Sequence, residues 1–304
     1  MPFVGIPSFL KLPIVPEGGA TGHDFTVVGI PFDEGTSSRP GARYGPRAVR
    51  AASTLYSYEG GAELFDVELG RSILKGASVV DSGDVAIEPA NGDANRDAMT
   101  RRIRGIVAAG STPVAVGGDH SITASILKAF PAPPYLVHLD AHMDFDSYLP
   151  RHTHGTPVRL AVEQGLVAGV VQVGVRGLNN GRADWLEARE RGVTVVTAED
   201  YRLSGVDAVL AAVPSGAALY VSIDIDAFDP GIAPGTGTPE PGGLSYVEGR
   251  AVLRAVAGHG RVVGCDLVEV NPLFDHGEIT AILAARLLLD LIGAIWEARI
   301  PRRP

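Results

Sequence analysis

The chain has 304 residues, 45% hydrophobic and 20% charged, an ordinary globular composition rather than a fibrous or disordered one. Its formal net charge of −9 excludes the basic face that nucleic acid demands and tilts the surface mildly toward cationic substrates. A single cysteine, Cys265, excludes an intrachain disulfide and fits a reducing cytoplasm, with the thiol read as a small buried apolar group.

Residues 1–13 contain three prolines and no continuous apolar core, so no signal peptide is expected. The first strand is expected at 25–30. The segment 39–47, rich in glycine and arginine, reads as a rigid loop that supports a site. A second strand at 77–81 runs into Asp81-Ser82-Gly83-Asp84, read as a structural turn. Helix 95–109 leads to strand 113–116, where Pro113 is tolerable because a first strand residue need not donate. Helix 122–130, strand 135–139, strand 170–175, helix 183–191 and strand 193–197 follow. Strand 218–223 precedes a long Pro/Gly loop at 230–243, then helix 246–257, strand 262–267 and helix 278–298. The apolar tract 279–296 is interrupted by Arg286 and Asp290 at helical spacing, so it predicts a packed helix rather than a membrane span. Most strand runs are solidly apolar, as in parallel strands covered on both faces. The expected fold is α/β: one domain over 1–304, a three-layer αβα sandwich with a mainly parallel sheet of about eight strands.

Three strand ends carry the chemistry. Strand 113–116 runs into Gly117-Gly118-Asp119-His120-Ser121, whose glycines let the backbone turn sharply. Strand 135–139 runs into Asp140, His142 and Asp144 at every second position, which in extended backbone share one side. Strand 218–223 runs into Asp224 and Asp226. Ligands in open parallel sheets bind beyond the carboxyl ends of the strands. Buried carboxylates this close repel unless a cation lies between them. Six N/O ligands without a thiolate exceed the needs of one catalytic zinc. They suit two divalent ions, Mn²⁺ first, then Co²⁺, Ni²⁺ or Zn²⁺. Two such ions can hold a bridging hydroxide that is nucleophilic at neutral pH. His138, two residues before Asp140, reads as a core histidine or a brace for the ligands; His23, His152, His259 and His276 have no partners at ligand spacing.

At these motifs the chain resembles the ureohydrolase family of arginases and agmatinases. The likeness rests on Gly117–Ser121, on Asp140-Ala141-His142-Met143-Asp144, and on the segments 222–230 and 234–239. It extends from the segments 28–33 and 39–46 to Val268-Glu269-Val270-Asn271-Pro272. The resemblance implies that His120 and His142 bind one ion each, that Asp140 and Asp224 bridge, and that Asp144 and Asp226 complete one ion each. It implies that Asp144 also holds the hydroxide. His154 would shuttle the proton to the leaving amine, and Glu269 would hold the guanidinium with Thr238 beside it. A homo-oligomer, trimer or hexamer, is implied as well.

The loop before His154, F-D-S-Y-L-P-R-H-T-H-G, lacks the Asn and Ser features by which arginases hold an amino-acid head, whereas P-G-T-G-T-P-E-P-G-G resembles the agmatinase branch. The expected activity is hydrolysis of agmatine or 4-guanidinobutyrate to urea and a primary amine. Arginase activity, a formiminoglutamate-type hydrolase and a catalytically silent metal-binding scaffold are the alternatives. Arg151, three residues before His154, is expected either to pair with a carboxylate tail of the substrate or to be a solvated loop residue.

Overall fold

Alternation along extended runs sends successive side chains to opposite faces. A computed structural model, which describes residues 2–57 and 62–300, makes that alternation visible in the core. The strands are β1 (Phe25–Ile30), β2 (Leu64–Asp66), β3 (Arg71–Ile73), β4 (Val79–Asp84), β5 (Thr112–Gly117), β6 (Tyr135–Leu139), β7 (Gly169–Val175), β8 (Val193–Thr197), β9 (Ala218–Asp224) and β10 (Arg261–Val268). Eight of them form one sheet in the order β4-β1-β5-β10-β9-β6-β7-β8, and every pairing in it is parallel. The helices are α1 (Gly45–Ser53), α2 (Gly92–Ala108), α3 (Ile122–Leu127), α4 (Pro157–Glu163), α5 (Arg182–Glu190), α6 (Ala198–Ser204), α7 (Val206–Ala212), α8 (Tyr246–His259) and α9 (Ile279–Arg299).

Val27, Val114 and Val116 point into a core shared with α1, α8 and α9. Val28 and Ala115, next to them in sequence, point into a second core shared with α2, α3 and α4. The three-layer sandwich and the parallel eight-stranded sheet are therefore as expected. The long apolar helix α9 satisfies a membrane span by length and composition, but 72% of its most apolar window is buried inside the protein. Cys265 is fully buried on β10.

Four strand boundaries match the expected runs to within one residue at each end, and β1, β6 and β8 match outright. β4 is the exception, starting two residues late and continuing through Asp84. Arg50 explains the extension: its guanidinium bonds Asp81 at 2.8 and 3.0 Å and Asp84 at 2.5 Å, and so fixes the Asp81–Asp84 segment. α3 ends at Leu127, earlier than expected, ahead of a segment that contains Pro131 and Pro133. The short helices α1, α4, α6 and α7 and the β2–β3 hairpin are too brief for periodicity to reveal. The 39–47 segment ends as the start of α1, and Asp33 braces it by accepting from the Gly41 and Arg43 amides and the Arg43 guanidinium.

The order places β5, β10, β9 and β6 side by side. Their carboxyl ends, which carry the three acidic motifs and Glu269, therefore meet at one place.

Candidate metal centre and active site

Local backbone geometry turns each motif inward. A side chain at Gly118 would place Cβ 1.7 Å from the Phe32 carbonyl oxygen, so only glycine allows the turn that delivers His120. Beyond β6 the chain leaves extended geometry, and Asp144 is left-handed with φ 52°. Glu269, just past β10, is left-handed as well with φ 64°. Non-glycine residues in this region cost about 1–3 kcal/mol and persist where their surroundings hold them.

The three motifs meet at two adjacent points rather than one. At the first, His120 Nδ1 is 3.0 Å from Asp140 Oδ2, 3.0 Å from Asp144 Oδ2 and 3.0 Å from Asp224 Oδ2. At the second, His142 Nδ1 is 3.4 Å from Asp140 Oδ1 and 3.2 Å from Asp226 Oδ2. His142 thus parts from its neighbours in the motif, because the strand pleat no longer sets the direction of side chains after Leu139. Asp140 faces both points, one oxygen to each.

Burial disfavours charge on all these groups. At His120 that effect is outweighed by the carboxylates of Asp144, Asp140 and Asp224, which hold its imidazole well above the usual range. At His142 burial is overcome by Asp226 and Asp140, and the ring is pushed up to about 12. Asp140 is held well below the carboxylate range: burial opposes this, but His138, His120 and His142 prevail. Burial raises Asp224 far and Asp226 less, with Asp226 and Asp140 adding to the first and Asp140 to the second. Asp140 Oδ2 and Asp144 Oδ2 are buried without a hydrogen-bond partner. Two groups, His120/His138/Asp140/Asp144 and Asp140/His142/Asp226, have donor atoms close enough to hold a metal ion. Orphaned carboxylate oxygens among imidazoles, with no thiolate, fit hard or borderline divalent cations.

Glu269 and His154 stand beside this cluster. Glu269 is 2% exposed, and its Oε1 accepts the His120 amide at 2.8 Å and lies 3.4 Å from His154 Nδ1. On the other side of the His154 ring, the Ser37 amide and hydroxyl approach Nε2 at 3.2 and 2.7 Å. Burial would lower the pKa of His154, but Glu269 outweighs it and raises the imidazole to about 9, above the neutral range expected of a proton shuttle. Asp119 is wholly buried and pins the 35–37 loop by accepting the Gly35 amide at 2.7 Å.

The cluster opens into a cavity of about 190 Å³. His120, His142, Asp144, His154, Asp224 and Thr238 line it, together with Asp146, Tyr148, Asn179 and Asn180. Thr238 donates to Asp226 Oδ2 at 3.1 Å, so it braces the cluster rather than Glu269. Of the two alternatives for Arg151, its position matches the solvated loop residue. Its side chain is 60% exposed, lies 3.4 Å from Glu163 and borders a neighbouring surface groove. Closeness in sequence to His154 did not bring it into the cavity, because the intervening turn, with His152 at φ 71°, redirects the chain. Sequence reasoning missed Ser37, Asp119, Asp146 and Asn180. Asp119 and Asp146 lie within or next to the motifs but were given no role, whereas Ser37 and Asn180 have no motif spacing; Ser37 lies 117 positions from His154.

Comparison with known proteins follows the same lines. A family model described as the arginase family matches residues 23–293. Proclavaminate amidinohydrolase of Streptomyces clavuligerus is 40% identical over 95% of this chain and 93% of its own length. The solved structure under that name superposes with a TM-score of 0.87 at 37% identity, covering 98% of this chain and all of that one. A mitochondrial agmatinase of Gallus gallus is 39% identical, covering 95% and 85% of the two chains. A guanidinopropionase of Pseudomonas aeruginosa is 38% identical, covering 97% and 93%.

Proposed function

Because this chain belongs to the arginase family and is a hydrolase of carbon–nitrogen bonds in linear guanidino compounds, we propose that it is a binuclear-metal ureohydrolase of the agmatinase type. The observation that carries this reading is Asp140, which presents one oxygen to His120 and the other to His142, two histidines that line a single cavity. His120, Asp140, Asp144 and Asp224 would hold one ion; Asp140, His142, Asp224 and Asp226 would hold the other, with Asp140 and Asp224 shared. Two divalent ions there, Mn²⁺ in the first instance, supply a hydroxide nucleophile at neutral pH and stabilise developing negative charge.

The rest falls to the chain's own side chains. Glu269 offers a buried carboxylate to a planar, donor-rich guanidinium. A guanidinium paired with Glu269 also removes the partner that holds the extra proton on His154, leaving that proton free for the departing amine. Water adds to the guanidino carbon, the bond to the alkyl nitrogen breaks, and urea and a primary amine leave.

The cavity also bears on the substrate tail. Among the described residues that line it there is no lysine or arginine, whereas Asp146 contributes a carboxylate outside the two metal points. Arg159, the nearby cation, is committed to Asp184 and Glu187 at 3.0 Å each. This supports an ammonium tail, as in agmatine, over the carboxylate of 4-guanidinobutyrate. The likeness to a guanidinopropionase favours the acid as the second reading. Urea release with Mn²⁺ over agmatine, 4-guanidinobutyrate and arginine tests both levels. Agmatine is expected to react fastest. No urea from any of them overturns the reading, and faster turnover of 4-guanidinobutyrate overturns the tail assignment alone.

A further inference from the structure

One level beneath the cluster, four neighbouring strands each bury a polar side chain where the surrounding core is apolar. Gln172 on β7, His138 on β6, Ser222 on β9 and Asp266 on β10 are cross-strand partners in a continuous row. All four are fully buried. His138 and Ser222 each stand two residues before a cluster aspartate, Asp140 and Asp224, on the same face of the sheet. Buried polar groups of this kind are normally paired, yet in this row His138 Nε2 and Gln172 Oε1 have no hydrogen-bond partner.

The hydrogen bonds in the row have a fixed sense. Asp266 Oδ2 accepts the Thr123 and Tyr220 hydroxyls, both at 2.8 Å, and Oδ1 accepts the Ser222 hydroxyl at 2.6 Å. With its hydrogen spent, Ser222 Oγ can only accept from His120 Nε2, which is 2.8 Å away. His120 therefore spends its Nε2 hydrogen on Ser222 and turns Nδ1 to the three carboxylates, where it would offer a lone pair once a cation takes the place of its proton. His138 is the same tautomer aimed the opposite way, with Nε2 toward the cluster. Gln172 Nε2 donates to the Met143 carbonyl at 2.7 Å, which fixes the amide, and its second hydrogen faces His138 Nδ1 at 3.2 Å. His138 Nδ1 is thus an acceptor, and the hydrogen sits on Nε2. That atom makes no hydrogen bond; the nearer of the two carboxylate oxygens it faces is Asp140 Oδ2 at 3.2 Å, with Asp144 Oδ2 at 3.8 Å. The two imidazoles stack, with centroids 4.8 Å apart.

We propose that this row is a positioning floor that holds two stacked histidines in the same Nε2–H tautomer but aims them oppositely, His120 with Nδ1 toward the cluster to offer a lone pair to a cation and His138 with Nε2 toward the cluster to steer the shared carboxylate of Asp140. The inference rests on the two-ion reading above. It makes His138 a positioning residue and not a ligand, although its Nε2 is close enough to the cluster to be taken for one.

Chelator-competition titration with Mn²⁺, with ions per chain counted by elemental analysis, tests it on purified wild type, His138→Phe, His138→Gln and Gln172→Leu. His138→Phe should bind ten- to a hundredfold more weakly yet still fill to two ions at saturation, the usual consequence of losing such a partner. His138→Gln keeps an N–H donor and should recover part of the loss. Gln172→Leu, which touches no cluster residue, should weaken binding in the same direction and carries the test if His138→Phe does not fold. Unchanged affinity in the folded variants overturns the proposal. Loss of one whole ion at saturation in His138→Phe also overturns it, because His138 would then be a ligand. A wild-type chain that binds fewer than two ions overturns the two-ion reading, and the floor with it.

Discussion

The inner and outer ends of the cavity are built differently. At the inner end, His120, Asp140 and Asp224 sit at the ends of strands, are buried and rest on a row of buried polar groups. At the outer end, Asp146, Tyr148 and Asn179 come from loops, and Tyr148 is 65% exposed. Strand ends in a close-packed sheet hold atoms to fractions of an ångström, while loops vary at little cost. The division assigns the type of reaction to the inner end and the choice of substrate to the outer end. Substitutions at the two ends should therefore fail in different ways.

Asp140→Ala should have the largest effect. The variant loses a carboxylate that faces both points, so turnover should vanish and Mn²⁺ content should fall by more than one ion per chain. Two ions per chain in the purified variant would mean that Asp140 is not shared. Glu269→Gln should also abolish urea release, but with metal content near wild type, because the glutamine oxygen can still accept the His120 amide. Unchanged kinetics would remove Glu269 from the site.

His154→Asn should lower kcat by a factor on the order of 10²–10⁴, the contribution of a positioned general acid. The pH profile adds to this test. With its pKa raised to about 9, His154 keeps its proton through neutrality and loses it as the pH climbs past that value. Wild-type kcat/KM, which reports the free enzyme, should fall above about pH 9, and that limb should be missing in His154→Asn. The same fall in the variant would assign the ionisation to another group.

The contrast between the two ends also governs how much could be read from sequence. The strands and the acidic motifs were legible because apolar runs and every-second-residue spacing are local signals, and β6 with Asp140 and Asp144 follows them. What lies across the sheet was not. Gln172 is next to His138 only because β7 pairs with β6, and Ser222 only because β9 pairs on the other side. The split of His142 away toward Asp226 follows from the chain leaving strand geometry after Leu139, which no spacing announces. At the outer end, neighbours in sequence were a poor guide to neighbours in space.

Asp146→Asn tests the outer end directly. Removing a carboxylate near an ammonium tail should cost a charge-assisted hydrogen bond, about 1.5–3 kcal/mol, and so reduce the preference for agmatine over 4-guanidinobutyrate by about tenfold or more. Metal content should not change. A preference that survives intact would place tail recognition on Tyr148, Asn179 or Asn180 instead.

Arg151→Ala should have the smallest effect, and that small effect is informative. Arg151 is as close in sequence to His154 as any cation in the chain, and a carboxylate-tailed substrate would need such a group. In space its guanidinium meets Glu163 at 3.4 Å, on a side chain that is 60% exposed and outside the cavity. An exposed ion pair of this kind contributes between about 0 and 1 kcal/mol to stability and is screened by salt. The thermal midpoint should therefore move little, and kcat/KM for both agmatine and 4-guanidinobutyrate should stay within about twofold of wild type, below the 1.4 kcal/mol that a tenfold change requires. A selective loss on 4-guanidinobutyrate would show that the 147–153 loop swings Arg151 over the substrate during turnover. The outer end would then be chosen by motion as well as by composition, and the carboxylate Asp146 would have a mobile cationic competitor at the same mouth.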